Sequence, residues 1–165
     1  MTQLGRKPDR TRLVAAAILL GLGLGGFFDG IVLHQIWQWH HMVSTLTPPD
    51  TLENLRVNTL ADGIFHAATW VLTVAGLFTL MSSNGARHRE GGTRTLIAGM
   101  LVGWGLFNSV EGLVDHHLLG LHHVRPGPGQ FFYDIGFLIW GVLMLVAGIA
   151  IIRRQSRLSR RNLNI

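Results

Sequence analysis

The 165-residue chain has no cysteine, a single tyrosine and only nine acidic residues. Without cysteine there is no disulfide frame, no thiolate metal ligand and no cysteine nucleophile. Charged residues make up 14% of the chain, against roughly 25% in an ordinary soluble domain, and the mean hydropathy is positive. A disordered chain is thereby excluded and a soluble globule disfavoured. The net charge of +5 invites a nucleic-acid reading. The basic residues, however, gather at the two ends and in one short connection, so no stripe exists to follow a phosphate backbone. Also missing are a nucleophile triad, a phosphate loop and the HExxH zinc-protease motif; neither His40-His41 nor His116-His117 sits in such an arrangement. The length fits one compact unit.

Long apolar runs are what the chain does have. Four of them, over about 13–42, 60–81, 96–121 and 131–152, are long enough to cross ~30 Å of hydrocarbon, which takes about 20 helical residues. Backbone groups cannot stay unpaired in lipid, so each run is expected to be a helix. The expected fold class is therefore all-α, an integral membrane four-helix bundle spanning 13–152 between basic tails at 1–12 and 153–165. The first run follows a basic stretch, yet it lacks a small-residue cleavage site and runs on into Asp29-Gly30, which marks a retained anchor. Twelve of the 14 Lys and Arg lie in the tails and in the second connection, leaving only Arg56 and Arg125 for the first and third. The positive-inside rule then places both termini in the cytoplasm and connections 42–59 and 122–130 outside, in the periplasm of a two-membrane bacterium. Asp50 and Glu53 resemble a capping box opening a short helix. Residues 125–129 (Arg-Pro-Gly-Pro-Gly) read as the turn that ends the third helix.

A shift of 82 residues lays the first helix on the third. Between 21–42 and 103–124 eight positions are identical, including His34/His116, His40/His122 and His41/His123, while Asp29 meets Glu111. Asp62 and Asp134 correspond more loosely near the starts of the second and fourth helices. The pattern predicts two parallel-duplicated helical hairpins related by an axis along the membrane normal. The spacings Gly21/Gly25, Gly26/Gly30 and Gly99/Gly103 suit close helix packing.

Eight of the nine histidines fall at the outer ends of helices one to three or just beyond: His34, His40, His41, His66, His116, His117, His122 and His123. His88, in the basic connection, reads as a solvated residue. Asp29, Asp62, Glu111, Asp115 and Asp134 share the outer depth, and acids inside a span mark function by default. A rise of ~1.5 Å per residue places Asp29 some 6 Å inside the outer edge of the hydrocarbon and carries His40-His41 into the outer water layer. At ~100° per residue His34 and His41 share a face, as do Glu111, Asp115 and His122, and Asp62 and His66. Imidazoles and carboxylates on facing helices of a bundle are how metal ions are held there. The expected ligands are His34, His41, His66, His116, His122 and His123, with one member of each adjacent pair, His40 and His117 included, left open. Glu111, Asp115 and Asp29 are expected to carry protons or ligate; Asp62 and Asp134 would ligate or orient the rings. Trp37, Trp39, Trp70, Trp104 and Trp140 read as interfacial anchors or core fillers.

Imidazole with carboxylate, and no thiolate, suits Cu(II), Zn, Fe or Mn, and the affinity order favours two or three copper ions, with zinc or iron next. A bis-His haem is the main cofactor rival, weakened by the acid that accompanies nearly every histidine. The segments 27–42, 61–67 and 108–124 and the Tyr133-Asp134 pair resemble a bacterial family of four-helix membrane proteins filed as a domain of unknown function. The resemblance implies an integral membrane protein whose His and acid motifs are the family signature, and it carries an association with copper oxidase assembly. The leading expectation is a redox-active membrane metalloprotein of the bacterial inner membrane, its copper centre facing outward and drawing electrons from quinol or another outer donor. The alternatives are capture and delivery of a metal to a respiratory oxidase, or a haem-bearing membrane subunit. A homo-oligomer stays open, and the lipid bilayer is the one partner that composition requires.

Overall fold

A computed structural model describes residues 9–163, with side chains through Arg157. Arg6 and Lys7 of the basic N-terminal tail lie outside the described residues. Helix α1 spans Arg10–Phe28, α2 Leu52–Met81, α3 Gly92–Glu111 and α4 Gln130–Leu163. Among the described residues there is no strand. The chain is thus an all-α four-helix membrane protein, each helix long and apolar enough to cross a bilayer.

The inner helices α1 and α3 pack on each other, α2 docks on α1, and α4 docks on α3. The most apolar stretches of α1 and α3 are 56% and 44% buried, those of α2 and α4 only 11% and 17%. The outer helices therefore turn apolar side chains such as Phe78, Trp70, Leu143 and Val146 outward, as lipid requires. Glycine sets the inner crossing. A Cβ on Gly21 would fall on the Met100 carbonyl oxygen and 2.9 Å from Gly103 Cα, and one on Gly103 would fall on the Ile18 carbonyl. Only hydrogen fits at that point. Gly21 and Gly103 are partners in the 82-residue repeat, so the pseudo-two-fold axis passes between them.

The second hairpin elements follow a different offset. Gly23 faces Thr69 and Thr73, and its counterpart Gly105 faces Gly141 and Leu145; Gly76 meets Leu20 as Gly148 meets Val102. Helix α2 therefore superposes on α4 by 72 residues rather than 82, because the outer connection of the second half is ten residues shorter. The loose match of Asp62 with Asp134 is this second offset.

The helices also start and stop elsewhere than expected. Thr51, rather than Asp50, caps α2 by accepting from Asn54 N–H, and the helix that follows has 30 residues. Past Phe28 and Glu111 the backbone widens into π-helical turns, π1 over Asp29–Ile36 and π2 over Gly112–Leu118. Each ends in the same way. Trp37 N–H donates to Val32 O and Trp39 N–H to Leu33 O; Leu119 N–H donates to Val114 O and Leu121 N–H to Asp115 O. The residue between takes positive φ, 51° at Gln38 and 57° at Gly120. The chain thus reverses well before 125–129 and folds back over the helix ends. At the opposite end, Asp9 N–H bonds the Ser83 carbonyl, so the start of α1 and the basic connection lie together, away from this region.

Candidate metal centre

Folding back carries His40 and His122 inward, between the two halves. The His40 ring N–H at Nδ1 donates to Val124 O at 2.8 Å, and that of His122 donates to Met42 O at 3.0 Å. Each half thus supplies the carbonyl that orients the other half's imidazole. The two rings stack with centroids 4.5 Å apart and planes 7° apart. His34 stands edge-on to His40 at 4.4 Å, and His116 edge-on to His122 at 4.8 Å. Phe65 and Phe137, equivalent under the 72-residue offset, lie against His34 and His116 respectively.

Six side chains meet here: Asp29, His34, His40, Glu111, His116 and His122. They form three overlapping groups, Asp29/His34/Glu111, Glu111/His116/His122 and His34/His40/His122, in each of which one potential ligand atom per residue lies within 4.8 Å of the others. None of the six is more than 3% exposed. Several of their polar atoms have no hydrogen-bond partner: His40 Nε2, His116 Nδ1 and both carboxylate oxygens of Glu111, together with Asp29 Oδ2 and His34 Nε2, which face only each other at 3.0 Å. A buried polar group without a partner is costly, and native structures hold few of them. Here the unpartnered atoms converge.

Proton placement explains the convergence. With Nδ1–H given to a carbonyl, His40 and His122 each keep a lone pair on Nε2, the form that binds metals. Burial, reinforced by the neighbouring His122 ring, pushes His40 down to about 3, and burial pushes His122 down to about 4, so both rings stay neutral near neutral pH. His34 is held on both sides, with Nδ1 2.9 Å from Asp62 Oδ1 and Nε2 3.0 Å from Asp29 Oδ2. If Nδ1 carries the proton, Nε2 turns a lone pair on a carboxylate. A cation, whether proton or metal ion, relieves that repulsion. His116 Nε2 and His122 Nε2 face each other at 3.1 Å.

The remaining candidates surround this group. Asp62 accepts from His34 Nδ1, from His41 Nδ1 at 2.7 Å, from Met42 N–H at 2.8 Å and from Gln35 at 3.3 Å. Asp134 accepts from His123 Nδ1 at 2.7 Å and from Val124 N–H at 2.9 Å, and stands 3.7 Å from His116 Nδ1. These acids fix ring orientation from behind, as acids behind metal-ligating histidines do. His41 and His123 thus turn toward Asp62 and Asp134, and the inner member of each pair, His40 and His122, enters the cluster. His66 donates to the carbonyl of Asp62, one turn back, and packs against Gly30, where a Cβ would come 2.6 Å from its Nε2. His117 is exposed and donates to Gly112 O, while half-buried Asp115 stands outside the three groups. His88 is exposed beside Arg87.

His34 and His41 do meet, on the two oxygens of Asp62, but His41 reaches it from beyond the helix and outside the cluster, because π turns hold more residues than α turns and the chain then reverses. The glycine at 120, matching Gln38 in the repeat, is the sequence signal for that reversal. His40, expected in the outer water layer, is 3% exposed for the same reason.

Residues 16–155 match the family described as predicted membrane protein (DUF2243). The chain belongs to that family. No curated protein and no solved structure matches it. All six cluster residues and both orienting acids of this DUF2243 chain fall inside the matched region.

Proposed function

We propose that the protein is a membrane metalloprotein whose cluster holds two metal ions bridged by Glu111. The observation that carries this reading is the pair of buried, unpartnered Glu111 oxygens between two donor sets. One set is Asp29 with His34; the other is His116 with His122; Glu111 belongs to both, and His40 stands between His34 and His122. Six donor residues suit two ions better than three. Copper is the proposed metal, because neutral imidazoles with carboxylates and no sulfur ligand bind Cu(II) most tightly among the common divalent ions. A haem is the poorer occupant, since the stacked His40 and His122 rings and the edge-on His34 and His116 fill the space a porphyrin would need.

Burial favours a resident, redox-active centre over delivery of the metal to a partner. Ligands at most 3% exposed exchange an ion slowly, and an ion held away from water is better placed to pass electrons than to hydrolyse a soluble substrate. The distribution of Lys and Arg supports the bacterial inner membrane with the centre on the outer side. Elemental analysis of detergent-purified protein, with absorption and paramagnetic resonance spectra, tests the reading. Two copper equivalents per chain are expected, falling to one or fewer in Glu111→Gln. Protein from metal-replete cells that holds no tightly bound metal overturns the proposal; zinc in place of copper overturns the redox role and leaves the centre.

A further inference from the structure

Beside the cluster, between α1, α3 and α4, lies a cavity of about 330 Å³, within the range of small-molecule sites. Its wall is aromatic: Phe28, Trp39, Trp104, Phe132, Phe137 and Trp140. Phe28, Phe132 and Trp140 are exposed on the outward surface, so the cavity opens toward lipid. Two buried polar groups, Asp29 and Asn108, each at most 3% exposed, also line it. The Asn108 amide has no side-chain hydrogen bond among the described residues, and Asp29 Oδ2 faces only His34 Nε2, at 3.0 Å. At the outer rim Arg125 donates to the Tyr133 hydroxyl at 2.8 Å and lies over the Trp39 ring.

The duplication supplies an internal control. The positions equivalent to Trp39, Trp104, Asn108, Phe132, Tyr133, Gly136 and Trp140 in the other half are Leu121, Leu22, Gly26, Leu60, Ala61, Ile64 and Ala68. The backbone plan is repeated and Phe137 has an aromatic counterpart in Phe65, yet the other lining rings and the Asn108 amide occur on one side only, and Phe107 stands in the other half where the cavity has Gly25. Helix packing alone gives no reason for that asymmetry. A Cβ on Gly136 would meet nothing within 4 Å, so glycine there keeps space open rather than permitting a close helix contact.

We infer that this cavity binds the ring of a membrane-dissolved hydroquinone. Its hydroxyls would meet Asp29 and the Asn108 amide, and its faces the aromatic wall. Aromatic walls favour a flat π-system, and a buried carboxylate with a free amide in an otherwise apolar cavity selects a hydroxyl-bearing ring over a hydrocarbon one. Asp29 belongs to both cavity and cluster, so the bound ring would lie next to the proposed metal centre; binding itself does not require the metal.

Titration of the purified protein with duroquinol, followed by quenching of tryptophan fluorescence, tests the inference, with durene as the hydroxyl-free control. Saturable duroquinol binding is expected, at least about tenfold tighter than durene. Gly136→Leu, which fills the cavity, and Asn108→Leu should each weaken duroquinol binding at least about tenfold while metal content and helical circular dichroism stay unchanged. His122→Ala should lose metal and keep duroquinol binding, which separates this inference from the metal reading. Durene binding as tightly as duroquinol, cavity variants that bind like the parent, or loss of binding in His122→Ala alone would each overturn it.

Discussion

The two halves of the molecule share a backbone plan and differ in their chemistry. Each has a glycine crossing, a π-helical end, a reversal at positive φ, and an imidazole steered by the other half's carbonyl. At equivalent positions, however, the first half carries Asp29 and the second Glu111. The extra methylene gives Glu111 reach into both donor sets, whereas Asp29 belongs to one. Asp62 accepts four donors where Asp134 accepts two. Duplication supplied a symmetric scaffold, and the side chains made its two sites unequal.

The largest effect should come where the symmetry is strictest. Gly21→Leu drives a side chain into the α3 backbone at the Met100 carbonyl, whereas the same change at Gly63 meets nothing within 4 Å. The first should abolish folded, monodisperse protein in detergent, and the second should leave the melting temperature within a few degrees; size-exclusion profiles and thermal melts decide. Equal tolerance at both sites would break the picture of a glycine-sealed crossing.

Next come the acids. Glu111→Gln should remove more metal than Asp29→Asn, leaving at most one ion against a partial loss, as read by elemental analysis. Equal losses would mean that neither acid bridges.

Asp62→Asn should destabilise by about 2–3 kcal/mol, since hydrogen bonds to a charged acceptor contribute roughly 1.5–3 kcal/mol each and two imidazoles depend on this one. Asp134→Asn should cost less. Chemical denaturation of the two variants compares them directly, and the reverse order would contradict the unequal donor sets.

The last effect concerns acid. An unfolded imidazole takes its proton near 6.5, whereas folded His40 and His122 take theirs near about 3 and about 4. Between those values the unfolded chain binds more protons, so stability rises with pH. Stability that is complete above about 6.5 should decline as pH falls toward 4, most steeply for the parent and least for a His40→Ala, His122→Ala double variant. Melting temperatures recorded from pH 7 to pH 4 in one detergent test this, and a flat profile in the parent would count against two neutral, buried rings.

Much of this arrangement could be read in the residues themselves. Apolar run length marks the four helices, and the 82-residue register already pairs Asp29 with Glu111 and His40 with His122. The inner member of each His-His pair could not be chosen, because that depends on the π turns and on the backward turn at Gln38 and Gly120. Regular 100° steps carry His34 and His41 to one face, whereas the widened turns give Asp62 the outer ring and the cluster the inner one. The 72-residue offset of α2 on α4 was also hidden, since Thr69/Gly141 and Gly76/Gly148 align only once the shorter second loop is known.

The glycine crossing has one more implication. Where Gly21 meets Gly103 the two backbones touch, leaving no room for a hydrated ion between α1 and α3 at that level. For the proposed metal centre this means that the seam between α1 and α3 offers an ion no route to the opposite face of the bilayer.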